Sequence, residues 1–189
     1  MQRLTIGLLM SSNNNANLES RILISSIIQT LVENKNYDYV MGAGSTGMLY
    51  TAQELLSENG AAAEIIGLKD SRDLEKSIAS YKVETENVFE RTQRIYEDSD
   101  VLLFLPGGIG TIAELYAMLD ANIENEKAKP IFIYNADHSY DLLLEDMKTK
   151  IKDGFISPQV LINCHEITTE EQLVEQLSTY EEKESKVKK

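Results

Sequence analysis

A glycine-rich segment between an apolar run and a stretch of helical period is the feature of this sequence with the clearest chemical meaning. Residues 106–111 read Pro-Gly-Gly-Ile-Gly-Thr and follow the apolar run Val-Leu-Leu-Phe-Leu at 101–105. Glycines let a backbone approach a phosphate closely, and the free N–H groups of a helix N-terminus point at it. We therefore predict a phosphate site at Gly107, Gly108, Ile109, Gly110 and Thr111, with the Thr111 hydroxyl as a further donor. A strand-to-helix turn without a ligand is the alternative. The segment is not a Walker loop, because no Gly-Lys-Ser/Thr follows it.

A carboxylate follows this segment at a spacing that suits chemistry on a bound phosphate ester. Glu114 comes three residues after Thr111, so it lies about one helical turn further on and on nearly the same face. A carboxylate in that position can reach a sugar or a water molecule beside the phosphate. Its alternative role is a favourable interaction of an acidic side chain with the N-terminal end of a helix.

A second glycine turn follows another short apolar run. Residues 42–48 read Gly-Ala-Gly-Ser-Thr-Gly-Met, and the turn supplies Ser45 and Thr46 as hydroxyl donors. One such turn is weak support for a ligand site. Two of them after strands of one sheet are stronger, because they can face each other across a crevice. We predict that Gly42, Gly44, Ser45 and Thr46 contribute to nucleotide binding there.

Two arginines precede the strand that leads into the phosphate segment. Arg91 and Arg94 are three residues apart, so they are near neighbours on a helix surface. In an acidic chain the usual role of such arginines is pairing with surface carboxylates, and this alternative stands for Arg94.

These residues need a scaffold that brings strand ends together, and the hydropathy pattern predicts one. Short runs rich in Val, Ile and Leu alternate with longer stretches of helical period, which is typical of an α/β fold with a parallel sheet covered by helices on both faces. We predict strands at 4–10, 39–41, 64–68, 101–105, 131–134 and 160–162. Helices are predicted at 16–33, 47–57, 86–97, 111–125, 140–150 and 169–179. No composition break divides the chain, so we expect one domain over residues 1–180 and a charged tail, frayed or disordered, over residues 181–189.

Charge and composition exclude several classes of function. The formal net charge is −13, from 31 acidic and 18 basic residues among 189. That charge repels nucleic acids and anionic membranes, so any phosphate must be captured by local donors. The single cysteine, Cys164, has no intramolecular disulfide partner, and with His138 and His165 it forms no recognisable metal-ligand spacing. The first apolar run is too short for a secretory segment or a membrane span, so we expect a cytoplasmic protein.

With these motifs in place, the sequence resembles the Lonely-guy family, the cytokinin riboside 5′-monophosphate phosphoribohydrolases long mislabelled as lysine decarboxylases. Residues 106–114 match the family's Pro-Gly-Gly-x-Gly-Thr-x-x-Glu without departure. The glycine turn at 42–48, the pair Glu90-Arg91 ahead of Ser99-Asp100, and the segments at 129–135, 140–144 and 154–156 also correspond. The resemblance extends from about residue 4 to the final helix.

The resemblance implies a fold, an activity and an assembly. The fold would be Rossmann-like, a doubly wound parallel sheet flanked by helices. The activity would be hydrolysis of the N-glycosidic bond of a nucleoside 5′-monophosphate, of the AMP or cytokinin riboside type, to free base and ribose 5-phosphate. Arg91 and Glu114 would be the catalytic pair, and the protein would be a homodimer with sites near the subunit interface. No metal or organic cofactor is implied.

The sequence also departs from the family pattern near the expected site. The family's Met-x-x-Arg-Lys reads Val-Phe-Glu-Arg-Thr at 88–92, which replaces a lysine by neutral Thr92. Ala43 interrupts the glycines of the second turn, and residues 119–124 differ from the usual continuation of the helix. These departures suit a rival hypothesis, a non-catalytic nucleotide or molybdenum-cofactor carrier of the same superfamily. Lysine decarboxylation is set aside, because it uses a pyridoxal phosphate Schiff base and no lysine stands beside either glycine turn.

Overall fold

The structure, a computed structural model, describes residues 3–34, 37–125 and 128–187. Strands and helices alternate along these residues in an α/β arrangement. The strands are β1 (Thr5–Leu9), β2 (Asp38–Gly42), β3 (Ala63–Leu68), β4 (Tyr81–Thr85), β5 (Val101–Phe104), β6 (Ile131–Tyr134) and β7 (Cys164–Ile167). The helices are α1 (Leu18–Asn34), α2 (Gly47–Glu58), α3 (Arg72–Lys76), α4 (Val88–Asp98), α5 (Ile109–Glu124), α6 (Asp141–Lys152) and α7 (Glu170–Val187). A short 3₁₀ helix, Pro158–Leu161, precedes β7.

All the strands of the described residues form one parallel sheet in the order β4-β3-β2-β1-β5-β6-β7. The chain winds outward from β1 in one direction as far as β4, and then returns to the other side of β1 with β5. Leu8 is thus in register with Met41 of β2 on one side and with Leu103 of β5 on the other. This is a doubly wound, Rossmann-like sheet, and the predicted fold class is confirmed. Ligands of such sheets bind beyond the carboxyl ends of the strands where the order reverses, which here is between β1 and β5.

Two apolar layers hold the helices against the sheet. On one face, strand residues such as Ile6, Leu8 and Leu103 pack with α1, α2 and α7. On the other face, Leu102 and Phe104 pack with α4, α5 and α6. Because both faces are covered, the central strands are continuous apolar runs rather than alternating ones. The same property makes these strands recognisable in the sequence.

The strand prediction is wrong at the carboxyl end of the chain and incomplete in the middle. Residues 160–162 overlap the 3₁₀ helix, where buried Val160 packs beneath α5 and α6, and the last strand is β7. β7 reads Cys-His-Glu-Ile, and only Ile167 of it is buried. β4 and the five-residue α3 were not predicted. β4 is an edge strand with mostly exposed side chains, so it carries no apolar run.

The final helix extends beyond its predicted end. α7 continues to Val187, so residues 181–187 are helical, and residues 188 and 189 of the predicted tail lie outside the described residues. The domain boundary at residue 180 stays a prediction. Among the described helices, none is long and apolar enough to cross a bilayer.

The end of β5 is held by side chains and backbone from both of its neighbours. Leu105 N–H donates to the Leu9 carbonyl at 2.9 Å, and Ser11 N–H donates to the Pro106 carbonyl at 3.2 Å. On the other side, the Tyr140 hydroxyl donates to the Leu105 carbonyl at 2.7 Å. The direction in which the chain leaves β5, and therefore the position of the glycine segment, is set by these three bonds.

Tyr140 is itself fixed by a buried amide. Asn135, which is 1% exposed, accepts a hydrogen bond from Tyr140 N–H at 2.8 Å. Its amide nitrogen donates to the carboxylates of Asp141 and Glu166, both at 2.7 Å. Burial raises the pKa of Tyr140 far above its usual value, and nearby Asp137 adds to the shift, so the phenol stays protonated as a donor.

Replacing Tyr140 by Phe tests this arrangement. The change keeps the ring and leaves the buried Leu105 carbonyl without its donor, a loss that costs about 1–3 kcal/mol. We expect the free energy of unfolding, measured by urea denaturation, to fall by that amount. Tyr116→Phe, which removes the same hydroxyl from a side chain that is 39% exposed, should have little effect. Equal stability of the two variants would contradict the role given to Tyr140.

Candidate functional site

A cleft of about 320 Å³ lies at the carboxyl edge of the sheet, where the strand order reverses. Its floor is the end of β1, and its walls are the loop at Ser11–Asn13, the start of the second glycine turn, and the first turn of α5. Three charged side chains also line it, and these are Asp73, Arg91 and Glu114. The sequence predicted a crevice between two glycine turns, and the structure has one at this place.

The phosphate segment forms the N-terminus of α5. The helix begins at Ile109, two residues earlier than predicted, with Gly108 as its N-cap. The N–H groups of the first turn have no acceptor within the helix, so those of Ile109, Gly110 and Thr111 are available for a ligand. These three residues and Gly108 line the cleft. Amides in this position, together with the helix dipole, attract an anion such as phosphate.

Gly107 makes room for the Thr111 side chain within this segment and does not form part of the cleft surface. A Cβ atom at Gly107 would overlap the side chain of Thr111, which is only 4% exposed. The absence of that atom lets Thr111 fold back beneath the turn. Gly107 itself is not among the residues that line the cleft in the described part of the chain.

Arg91 on α4 and Glu114 on α5 form an ion pair in the wall of the cleft. The distance from Arg91 Nη2 to Glu114 Oε1 is 3.1 Å, and the two side chains are 25% and 14% exposed. Burial raises the pKa of Glu114, while the charge and hydrogen bond of Arg91 act to lower it. Arg91 Nε is buried and has no hydrogen-bond partner among the described residues. The cleft therefore contains a partly dehydrated carboxylate and a guanidinium with unused donor capacity.

Both ends of α4 are capped, which fixes the position of Arg91. At the N-terminus, Asn87 Oδ1 accepts from the N–H groups of Phe89 and Glu90, both at 3.0 Å.

At the C-terminus of α4, the Lys129 ammonium donates to the carbonyls of Tyr96, Glu97 and Ser99. Burial lowers the pKa of Lys129, and nearby Asp100, Asp98 and Glu97 oppose that shift. A cation at the last turn also complements the helix dipole.

Arg94 does not reach the cleft. It pairs with Asp98 one turn further along α4, and its side chain is 46% exposed. This is the surface pairing that the sequence left open as the alternative role for Arg94.

The second glycine turn contributes less to the cleft than predicted. Gly42 lines it, but Gly44, Ser45 and Thr46 are not among the lining residues. The N–H and hydroxyl of Ser45 both donate to Asp73 Oδ1, at 3.2 and 2.5 Å. Thr46 is the N-cap residue of α2, and its side chain makes no capping hydrogen bond. Both Ser45 donors are thus held by Asp73 of α3, and Asp73 itself lines the cleft.

The sequence interpretation missed Asp73, the loop after β1 and the glycine that this loop requires. Gly47 has φ of +69°, and a Cβ atom on it would overlap the Ser12 carbonyl. The polar run Ser-Ser-Asn-Asn-Asn at 11–15 directly follows the first strand and could have indicated this wall. No signal in the sequence pointed to Asp73. Within the described ranges, no group of three His, Cys, Asp or Glu side chains is arranged to hold a metal ion.

Known proteins resemble this chain in sequence. A family model described as "Possible lysine decarboxylase" matches residues 41–177. A cytokinin riboside 5′-monophosphate phosphoribohydrolase of Arabidopsis thaliana is 26% identical over 151 residues, which cover 78% of this chain and 69% of that protein. A protein of Oryza sativa subsp. japonica named "Probable cytokinin riboside 5′-monophosphate phosphoribohydrolase" is 30% identical over 128 residues, which cover 66% of this chain and 56% of that protein. The matched region thus spans 69% and 56% of the length of these two relatives.

Solved structures resemble this chain in fold. The molybdenum cofactor carrier protein of Chlamydomonas reinhardtii superposes with a TM-score of 0.70 at 15% sequence identity. The superposition covers 94% of this chain and 98% of that protein. At this identity the likeness establishes the shared architecture alone.

The ion pair in the cleft predicts how the pKa of Glu114 responds to Arg91→Met. Arg91 lowers that pKa, so its removal should raise the pKa further above the ordinary value. The carboxylate would then be lost at a higher pH as the solution is acidified. Carbon NMR titration of labelled glutamate side chains measures this midpoint directly. Arg94→Met, which removes the same charge three residues away from a different pair, should shift the Glu114 midpoint much less. An unchanged midpoint in Arg91→Met would contradict the pairing.

Proposed function

This chain belongs to the Lonely-guy family, whose family model is described as "Possible lysine decarboxylase", and we propose that it is a nucleoside 5′-monophosphate phosphoribohydrolase. The proposed reaction cleaves the N-glycosidic bond of AMP or of a cytokinin riboside 5′-monophosphate. The products are the free base and ribose 5-phosphate.

The convergence of Arg91 and Glu114 on one cleft is the observation that carries this proposal. A protein that only binds a nucleotide needs a phosphate site and a pocket, whereas hydrolysis also needs a group that acts on the sugar. Glu114 stands one helical turn behind the amides of Ile109 to Thr111, in the wall of the same cleft. A 5′-phosphate on those amides would bring the ribose beside the carboxylate.

Each polar group has a role in the proposed mechanism. The amides at the start of α5 bind the 5′-phosphate and so orient the sugar. As the bond between C1′ and the base nitrogen breaks, its electron pair leaves with the base and the ribose gains oxocarbenium character. Ionised Glu114 stabilises that positive charge and accepts a proton from the water that attacks C1′. The departing base nitrogen takes up a proton from solvent and Glu114 returns its proton to solvent, so the net reaction adds one water across the broken bond. Arg91 holds Glu114 in place and donates to the phosphate or to the departing base.

Lysine decarboxylation has no support in this cleft. That reaction uses a lysine that forms a Schiff base with pyridoxal phosphate. Among the described residues that line the cleft, none is a lysine.

A non-catalytic carrier of a nucleotide or of molybdenum cofactor is the second candidate. It is favoured by Thr92, which stands where the family has a lysine next to the arginine. The Thr92 hydroxyl donates to the Val88 carbonyl at 3.0 Å, so it is engaged within α4. The fold shared with a molybdenum cofactor carrier is compatible with this function.

We also propose a homodimer that forms through α4 and α5. These helices enclose an apolar groove of about 420 Å³ with Val88, Phe89, Tyr96, Ala117 and Met118 in its walls. Phe89 is 83% exposed and Val88 is 45% exposed. The groove also reaches Arg91 and Glu114, so a second copy seated there would lie beside the cleft, as the family resemblance implies. The cytoplasmic location and the absence of nucleic-acid binding remain predictions from composition and charge.

Glu114→Gln is the test of the reaction. We expect release of base from a panel of nucleoside 5′-monophosphates, including AMP and isopentenyl-AMP, to fall by at least about 100-fold, since the charge that stabilises the sugar is lost. Nucleotide binding, followed by thermal shift, should persist. Glu124→Gln, at an exposed position of the same helix, serves as the control.

The outcomes separate the two candidates. Normal turnover in Glu114→Gln would rule out the proposed mechanism. Binding by the unaltered protein without release of base from any nucleotide would favour the carrier.

Phe89→Glu is the test of the dimer. Burial of a phenylalanine contributes about 1.5–3 kcal/mol, so a charge in its place should weaken association by at least about tenfold. Sedimentation equilibrium measures the change. Phe155→Glu, at a site that is 82% exposed and does not line the groove, should leave the dimer intact. A monomeric unaltered protein, or a Phe89→Glu variant that dimerises normally, would contradict the proposal.

A further inference from the structure

The cleft has a third charged side chain, which the proposed mechanism does not use. Asp73 belongs to α3, the short helix after β3, and it lines the cleft together with Gly42 and Ala43. The amides at the start of α5 and the Arg91 guanidinium of α4 lie on the other side of the strand-order reversal. The cleft therefore has a donor-rich side and a side that ends in a carboxylate.

The Asp73 carboxylate is held in a defined orientation. Its Oδ1 accepts two hydrogen bonds from Ser45, one from the N–H and one from the hydroxyl. The Asp73 carbonyl accepts from the Ser77 hydroxyl at 2.6 Å, and Ser71 caps the same helix through Leu74 N–H. A side chain anchored in this way by one oxygen has little freedom to turn away from the cleft.

The other oxygen of Asp73 remains available. Oδ2 accepts no hydrogen bond from the residues that the structure describes, whereas Oδ1 is saturated by Ser45. An ionised carboxylate only accepts hydrogen bonds, so a ligand group that meets Oδ2 favourably must be a donor. A phosphate in the same place would be repelled, and the net charge of −13 offers no compensating field.

We infer that Asp73 is a specificity-determining residue, which accepts a hydrogen bond from a hydroxyl or amino group of the nucleoside and excludes ligands that carry a second phosphate at that end. This inference rests on the proposed nucleotide site and deepens it. Asp73 sets which nucleotides enter and in which direction, with the 5′-phosphate at α5 and the donor-bearing end toward α3. The favoured ligands are nucleoside 5′-monophosphates that carry a hydroxyl or amino group, and no second phosphate, at the end that faces α3.

The experiment compares ligand affinities rather than rates. Calorimetry is carried out with the Glu114→Gln protein, in which turnover is blocked, alone and combined with Asp73→Asn. The probes are AMP, adenosine 3′,5′-bisphosphate, 2′-deoxy-AMP and purine riboside 5′-monophosphate, which lacks the amino group. Asp73→Asn keeps Oδ1 for Ser45 and replaces the free acceptor by an amide donor.

Two changes are expected in Asp73→Asn. The preference for AMP over the bisphosphate should fall by about tenfold, because the like charge is gone. The affinity for AMP itself should fall by about tenfold, because a hydrogen bond to a charged acceptor is lost. The analogue whose weaker binding disappears in Asp73→Asn identifies the donor, a ribose hydroxyl or the base amine.

Two control variants make the result specific. Asp70→Asn removes the same charge from an exposed position just before α3 and should leave both preferences unchanged. Ser45→Ala removes the anchoring hydroxyl but keeps the carboxylate, so discrimination against the bisphosphate should remain. An unchanged preference in Asp73→Asn, or an equal change in Asp70→Asn, would overturn the inference. Absence of base release by the unaltered protein would overturn only the hydrolase, since the binding preferences hold equally for a carrier.

Discussion

Burial of the Glu114 carboxylate, which is 14% exposed and has one cationic neighbour, costs free energy. Much of the surrounding structure stabilises the carboxylate by holding that neighbour in place. Burial raises the pKa of Glu114, and Arg91, which faces it from the next helix, acts in the opposite direction. That pairing requires α4 and α5 to keep a fixed separation and rotation. The Asn87 cap, the Lys129 ammonium at the end of α4 and the packing of Ile95 and Leu115 in one apolar layer all serve this requirement.

The two sides of the cleft present different groups to a ligand, amide donors at the start of α5 and the Asp73 carboxylate on α3. The N-terminus of α5, with its free N–H groups, lies at the cleft because the helix follows a parallel strand and runs back along the sheet. Helix α3 does so as well, but it is only five residues long and its first turn carries Asp73. Local donors and the carboxylates of Asp73 and Glu114 therefore decide what the cleft can hold, while the overall charge of −13 works against any anion.

The parts of the fold and site that the sequence predicted are those with short-range causes. Central strands are buried on both faces, so their apolar runs identify them. The glycines at 107, 108 and 110 mark a strand-to-helix turn in the sequence itself, although long-range hydrogen bonds from Ser11 and Tyr140 set its direction. Glu114 follows from helical spacing, whereas Arg91 gained its role only from the family resemblance. β4 and β7 are edge strands without apolar runs, and one was missed while the other was misplaced. Ser45 was assigned to the ligand because nothing local shows that Asp73, 28 residues later, takes both of its donors.

The central position of β1 has a consequence for how the chain acquires its cleft. β1 joins β2 early in the sequence, but its other neighbour is β5, and Thr5 N–H reaches Asp100 across 95 residues. Closing so long a loop is entropically demanding, and folds rich in such contacts form slowly. During synthesis, the half from β1 to β4 emerges with the edge of β1 unpaired and with neither the amides of α5 nor Glu114 yet made. The cleft therefore cannot form before α5 has been made, and until β5 is present the edge of β1 is open to pairing with another strand.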